Sequence, residues 1–139
     1  MTRIESKHVE VNCSQQEVYE YLTDLNNFKE LLPQDRISNW ESNNEMCSFR
    51  IQGTVTISIV LKEGEPYGMI HLGSGDKSPF PFTLDVTVKD LGDGRCEAFQ
   101  VFEADINPFL KMMVEKPLSN LFDYIADRLA KVKGGTTAA

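Results

Sequence analysis

Hydrophobic positions along this chain repeat with two different periods, and the switch between them predicts its elements. From Ile37 onward the period is two. Cys47, Phe49 and Ile51 alternate with polar neighbours, as do Val55, Ile57, Ile59 and Leu61, and the cleanest run sets Phe80, Phe82, Leu84, Val86 and Val88 against Pro81, Thr83, Asp85 and Thr87. Such alternation predicts half-buried strands. Turn chemistry separates them at Asn43-Asn44, Gly53, Glu63-Gly64-Glu65-Pro66, Gly73-Ser74-Gly75-Asp76 and Asp93-Gly94, and links this short predict antiparallel neighbours. In the last strand, Arg95 to Asp105, Phe99 and Val101 compete with Ala98 and Phe102 for the inner face, which leaves two registers open.

Helical spacing frames this block on both sides. Arg3 to Val11 reads as a first strand, after which Ser14 and Glu17 form a capping box ahead of Val18, Tyr21, Leu22 and Leu25. Asn26-Asn27 breaks that helix, and FKELLP predicts a second short one ended by Pro33, because a residue before proline is pushed out of helical geometry. After the strands, Asn107 as N-cap and Pro108 at the first helical position open one long helix that Gly134-Gly135 closes. Leu110, Val114, Pro117, Leu118, Leu121, Ile125, Leu129 and Val132 fall on one face, with Lys116, Ser119, Asp123 and Asp127 pointing away. Pro117 predicts a kink. Phe109 and Met112 fall off the main stripe. Extra core beneath the Ser14 to Leu32 helix pair is the favoured reading of them, with a patch for a protein partner or a second copy as the alternative.

Composition narrows the class. At 139 residues with 41% hydrophobic content, the chain fits one domain, here 1–133, with 134–139 as a disordered tail. A formal charge of −7 and a pI near 4.8 speak against nucleic acid and anionic membrane surfaces, both of which demand clustered Lys and Arg. No apolar stretch approaches the roughly 20 residues that span a bilayer, and the first residues lack a signal-peptide pattern, so a cytoplasmic location is expected. Cys13, Cys47 and Cys96 are odd in number and widely spaced, which fits reduced thiols. No zinc spacing occurs, and no cofactor is expected.

The order β-α-α-β6-α resembles the helix-grip fold of the START-like superfamily, also called SRPBCC, which includes the birch-pollen-allergen family and polyketide cyclases. The pieces that carry the resemblance are VNCSQQEVYEYLTDLNNFKELLP and ADINPFLKMMVEKPLSNLF. It implies an α+β domain in which a curved antiparallel sheet of about seven strands wraps a long C-terminal helix and leaves a hydrophobic cavity between them. It also implies binding of a lipid or polyketide-like small molecule. The expected lining is Phe49, Ile57, Ile59, Ile70, Phe82, Leu84 and Phe102 from strands, with Leu110, Met113, Val114, Pro117 and Leu121 from the helix. For any single one of these, plain core packing is the better reading.

Candidate chemistry is sparse. His71 lies on a strand without an adjacent acid or serine and is expected to face solvent if Ile70 faces inward. Glu103 and Asp105 share a strand face two residues apart, a spacing that suits a solvated edge as well as an acid and base pair. Cys13 ends a strand beside a helix start, a place that can favour a thiolate, and Cys47 is expected to be inert; neither is expected to be a nucleophile. The loop at Gly73 to Ser78 reads as a flexible connection, or as a lid if it lies at a pocket mouth. Arg36 is expected on the surface and Trp40 in packing. Binding of a hydrophobic small molecule is therefore the leading expectation, ahead of a cyclase or dehydratase-like enzyme, which needs two polar groups converging in the cavity, and ahead of a protein-interaction module.

Overall fold

A computed structural model describes residues 2–51 and 55–134. Among them, β1 (Thr2–Glu5), β2 (Val9–Val11), α1 (Gln15–Leu22), a 3-10 helix (Leu25–Leu31), β3 (Ile37–Asn43), β4 (Met46–Ile51), β5 (Thr56–Leu61), β6 (Met69–Ser74), β7 (Phe82–Gly92), β8 (Arg95–Ala104) and α2 (Pro108–Gly134) follow in order. The strands form one antiparallel sheet, β1-β8-β7-β6-β5-β4-β3, with β2 also on β8. This is the helix-grip architecture. The expected first strand is present as two pieces, which raises the count to eight.

Local chemistry explains most element boundaries. Ser14 Oγ accepts from the Glu17 N–H at 3.2 Å, the N-cap half of the capping box, while its hydroxyl rather than its backbone N–H donates to the Glu17 carboxylate at 3.3 Å. The break after α1 comes earlier than Asn26-Asn27. Thr23 ends the helix, Asp24 caps the 3-10 helix by accepting from the Asn26 N–H, and the Asn27 amide donates to the Tyr21 carbonyl. Leu32 then turns to φ −101° and ψ 150°, the extended geometry that Pro33 imposes. Asn107 Oδ1 accepts from the Leu110 N–H at 2.8 Å and starts α2. The helix runs unbroken through Pro117 and takes in Gly134; the rest of the expected tail, like Gly53, lies outside the described residues.

The inner face of the sheet follows the alternation. Phe82, Leu84, Val86 and Val88 are buried on β7, and the open register of β8 resolves to Cys96, Ala98, Gln100, Phe102 and Ala104 inward. Two small alanines on that face leave room for α2, which packs on β8 as well as on β1, β2 and the 3-10 helix. The outward Phe99 is covered instead by the His8 ring, stacked at 3.8 Å. Between β1 and β2, Ser6 exchanges two 2.9 Å hydrogen bonds with the Gln100 backbone, so pairing continues across the break. Lys7 reaches the other way, its N–H donating to Asp123 and its ammonium to Asp127. These two aspartates, on the face of α2 that points away from its apolar stripe, tie the helix to the strand break.

The first turns of α2 correct another expectation. Phe109 is 76% exposed and Met112 84% exposed. The α1 and 3-10 pair packs farther along, so the extra-core reading of these residues fails. The Gly73 loop is also no free lid: Gly75 and Ser78 hydrogen-bond the Ser58 backbone, and Lys77 pairs with Glu41 at 2.8 Å. A β-carbon at Gly75 would come 2.5 Å from Ser58 Oγ, so the close approach requires glycine.

Candidate functional site

Three spaces adjoin α2 on the concave side of the sheet. The largest is a cleft of about 520 Å³ between α2, β3, β4 and the segment after the 3-10 helix, lined by Pro33, Asp35, Arg36, Ile37, Ile51, Pro117, Asn120, Leu121 and Tyr124. Its wall combines aliphatic and proline surface with a polar rim. Its position depends on Pro33, which throws the chain away from the 3-10 helix, and on the turn closed by the Arg36 N–H donating to the Pro33 carbonyl at 2.9 Å. Arg36, expected on the surface, is exposed at the cleft edge, and among the described residues no hydrogen bond or ion pair engages its side chain.

Deeper in the core lies a cavity of about 10 Å³, room for the centre of one water-sized sphere. Phe49, Ile57, Ile59, Phe82, Leu84, Phe102 and Leu121 wall it, together with Phe28, Leu32, Leu118, Phe122 and Ile125. The Phe82, Phe102 and Phe122 rings meet at centroid distances of 5.2 and 5.3 Å, contacts worth about 1 kcal/mol each beyond their burial. A third space, also about 10 Å³, lies under the second half of α2 beside Gln100.

The expected lining residues are thus divided. Seven of the twelve surround the phenylalanine-lined cavity, and Leu121 belongs to both that cavity and the cleft, where Pro117 joins it. Ile70 and Val114 are buried elsewhere in the core, Leu110 is half-buried against it, and Met113 is 49% exposed. The cleft residues before β3 and at the end of β4 escaped the sequence reading. Proline and charged residues after a short helix carry no periodic signal, and only the packing of α2 turns them into a wall.

Ionisable groups mark the outer face of the sheet. His71 does face away from the buried Ile70, but it is not isolated: its Nδ1 lies 2.7 Å from Asp85 and its Nε2 3.2 Å from Glu65. The hydrogen bond to Asp85, then that to Glu65, raises its pKa against a small opposing desolvation. The sheet separates this cluster from the three inner spaces. Arg3 reaches Glu103 at 3.8 Å on the same outer face, while Asp105 is exposed beyond the strand end. Cys13 does not gain thiolate character from the helix start, because burial, then the Glu17 carboxylate, raises its pKa. Burial holds the Cys47 thiol up at about 12 and Cys96 at about 11, so all three are protonated and unreactive at neutral pH. Among the described residues no cluster of three metal-ligating side chains occurs, and no helix is long and apolar enough to cross a membrane.

A curved sheet gripping one long helix, with an apolar space between them, defines a helix-grip protein, and solved structures place the chain in that class. No family model and no curated protein matches it. XoxI from Bacillus cereus superposes with a TM-score of 0.71 at 12% identity over 96% of each chain. Norcoclaurine synthase from Thalictrum flavum, in complex with dopamine and hydroxybenzaldehyde, gives 0.66 at 14% identity over 94% of this chain and 85% of its own. The di-domain aromatase/cyclase BexL of the BE-7585A biosynthetic pathway gives 0.68 at 10% identity, over 94% of this chain and 45% of its own. The chain has the helix-grip fold.

Proposed function

We propose that this protein binds a hydrophobic small molecule, of lipid or polyketide-like character, between the sheet and α2, admitting it through the cleft at Arg36 and Tyr124. The observation that carries this reading is Leu121, which forms the inner wall of a 520 Å³ cleft and, on its other side, the wall of the phenylalanine-lined cavity. A cleft of that size, mainly apolar with a few polar groups at its rim, has the character of a small-molecule site. Norcoclaurine synthase, in complex with two small aromatic molecules, supports the same use of the architecture. Burying about 200 Å² of apolar ligand surface supplies roughly 5 kcal/mol of gross driving force, offset in part by the entropy of association.

The test is uptake of the neutral dye phenylnaphthylamine, read by its fluorescence. Asn120 is exposed at the cleft and contributes no core packing. Asn120→Trp fills the mouth and is expected to weaken binding about tenfold with the melting temperature within about 2 °C of wild type. Equal dye binding by the variant would remove the cleft from the function.

A further inference from the structure

One buried side-chain polar atom among the described residues has no hydrogen-bond partner, the Oε1 of Gln100. Gln100 is 4% exposed, on the inner face of β8 opposite Val86. Its other polar groups are engaged. The N–H donates to Ser6 Oγ, the carbonyl accepts from the Ser6 N–H, and Nε2 donates to the Phe122 carbonyl of α2, each at 2.9 Å. The bond to Phe122 fixes which way the amide points, since turning it would set two carbonyl oxygens against each other. The oxygen is therefore the unsatisfied acceptor. An apolar side chain of the same size would avoid the loss of stability that goes with a buried acceptor lacking a donor.

The space beside Gln100 is walled in part by Leu22, Phe28, Ile125 and Leu129. Phe28 and Ile125 are also walls of the phenylalanine-lined cavity, which in turn shares Leu121 with the outer cleft. The three spaces form a row beneath α2, each adjoining pair divided by named side chains. Leu121 and the Phe28–Ile125 pair are the side chains that must change rotamer for a ligand to pass from one space to the next.

We propose that this row is a single ligand path with Gln100 at its inner end, where Oε1 accepts a hydrogen bond from a hydroxyl or N–H group on the leading end of an otherwise apolar ligand. This rests on the cleft-entry reading above. A single water is the competing occupant, for the space is of that size.

Naphthol and its methyl ether separate the possibilities, because they share a ring system and differ in the donor. Titrated by fluorescence, the wild type is expected to bind naphthol about tenfold more tightly than the ether, the value of one net hydrogen bond. Gln100→Met, similar in length but without the acceptor, is expected to bind the two within about twofold of each other. Should that variant fail to fold, the wild type still answers: the Gln100 side-chain amide resonances shift with naphthol and not with the ether at equal occupancy. Equal affinities in the wild type, an unshifted amide, or a preference that survives in Gln100→Met would overturn the role of Gln100 and assign the space to water, leaving the cavity reading intact. Binding of neither probe would overturn both.

Discussion

Each of the two histidines is held between two carboxylates. His8 has Glu97 at Nδ1 and Glu5 at Nε2, both at 2.6 Å, and His71 has Asp85 and Glu65. A ring whose two nitrogens both face carboxylates keeps both protons, and the hydrogen bonds to Glu5 and then Glu97 raise the His8 pKa as those of Asp85 and Glu65 raise that of His71. Both values move up from 6.5. The contribution to stability is therefore complete below the ordinary histidine value and is lost as pH rises through the raised one. Glu5 has the opposite sign, its pKa lowered chiefly by His8, so its contribution is lost as pH falls. The melting temperature should decline as pH rises from the ordinary histidine value through the raised ones, and the double variant His8→Gln, His71→Gln should flatten that slope in calorimetric scans. An unchanged slope would show that solvent screens these exposed pairs completely. Sequence alone left His71 looking solitary because Asp85 is fourteen positions away and becomes a neighbour only through the β6 to β7 register.

At the scale of elements, features set by near neighbours were readable and features set by distant ones were not. The Ser14 and Asn107 caps, the proline stop at Pro33 and the inward run of β7 depend on residues within a turn or a strand of each other. The register of β8 depends on small alanines meeting a helix and on a histidine from the β1 to β2 break covering Phe99, contacts that no local pattern announces. The same distinction governs α2. Its start is local, so Asn107→Ala removes one hydrogen bond to the Leu110 N–H and should lower stability by about 1 kcal/mol in denaturant titrations. Met112 touches little, so Met112→Glu should change stability by under about 0.5 kcal/mol. A large loss from Met112→Glu would mean that the first turns of α2 are covered after all.

For the molecule as a whole, the decisive question is whether the phenylalanine-lined cavity is finished core or a closed section of a path. Alternation placed Phe49, Ile57, Ile59, Phe82 and Leu84 of its walls on one face, yet it could not show whether their volumes fill the space, because packing density depends on how the helix seats across the sheet. Leu121 tests this directly, being buried and shared by cleft and cavity. Leu121→Ala deletes the partition and should destabilise the fold by about 2–5 kcal/mol, the range for truncating a buried leucine. If the two spaces belong to one ligand path, the enlarged space admits phenylnaphthylamine more deeply, and its affinity should rise even as the melting temperature drops. Finished core would answer differently, with the same loss of stability and no gain in dye affinity, since surrounding side chains would collapse into the gap. Stability and uptake measured on one variant thus move in opposite directions when the cavity is part of the site.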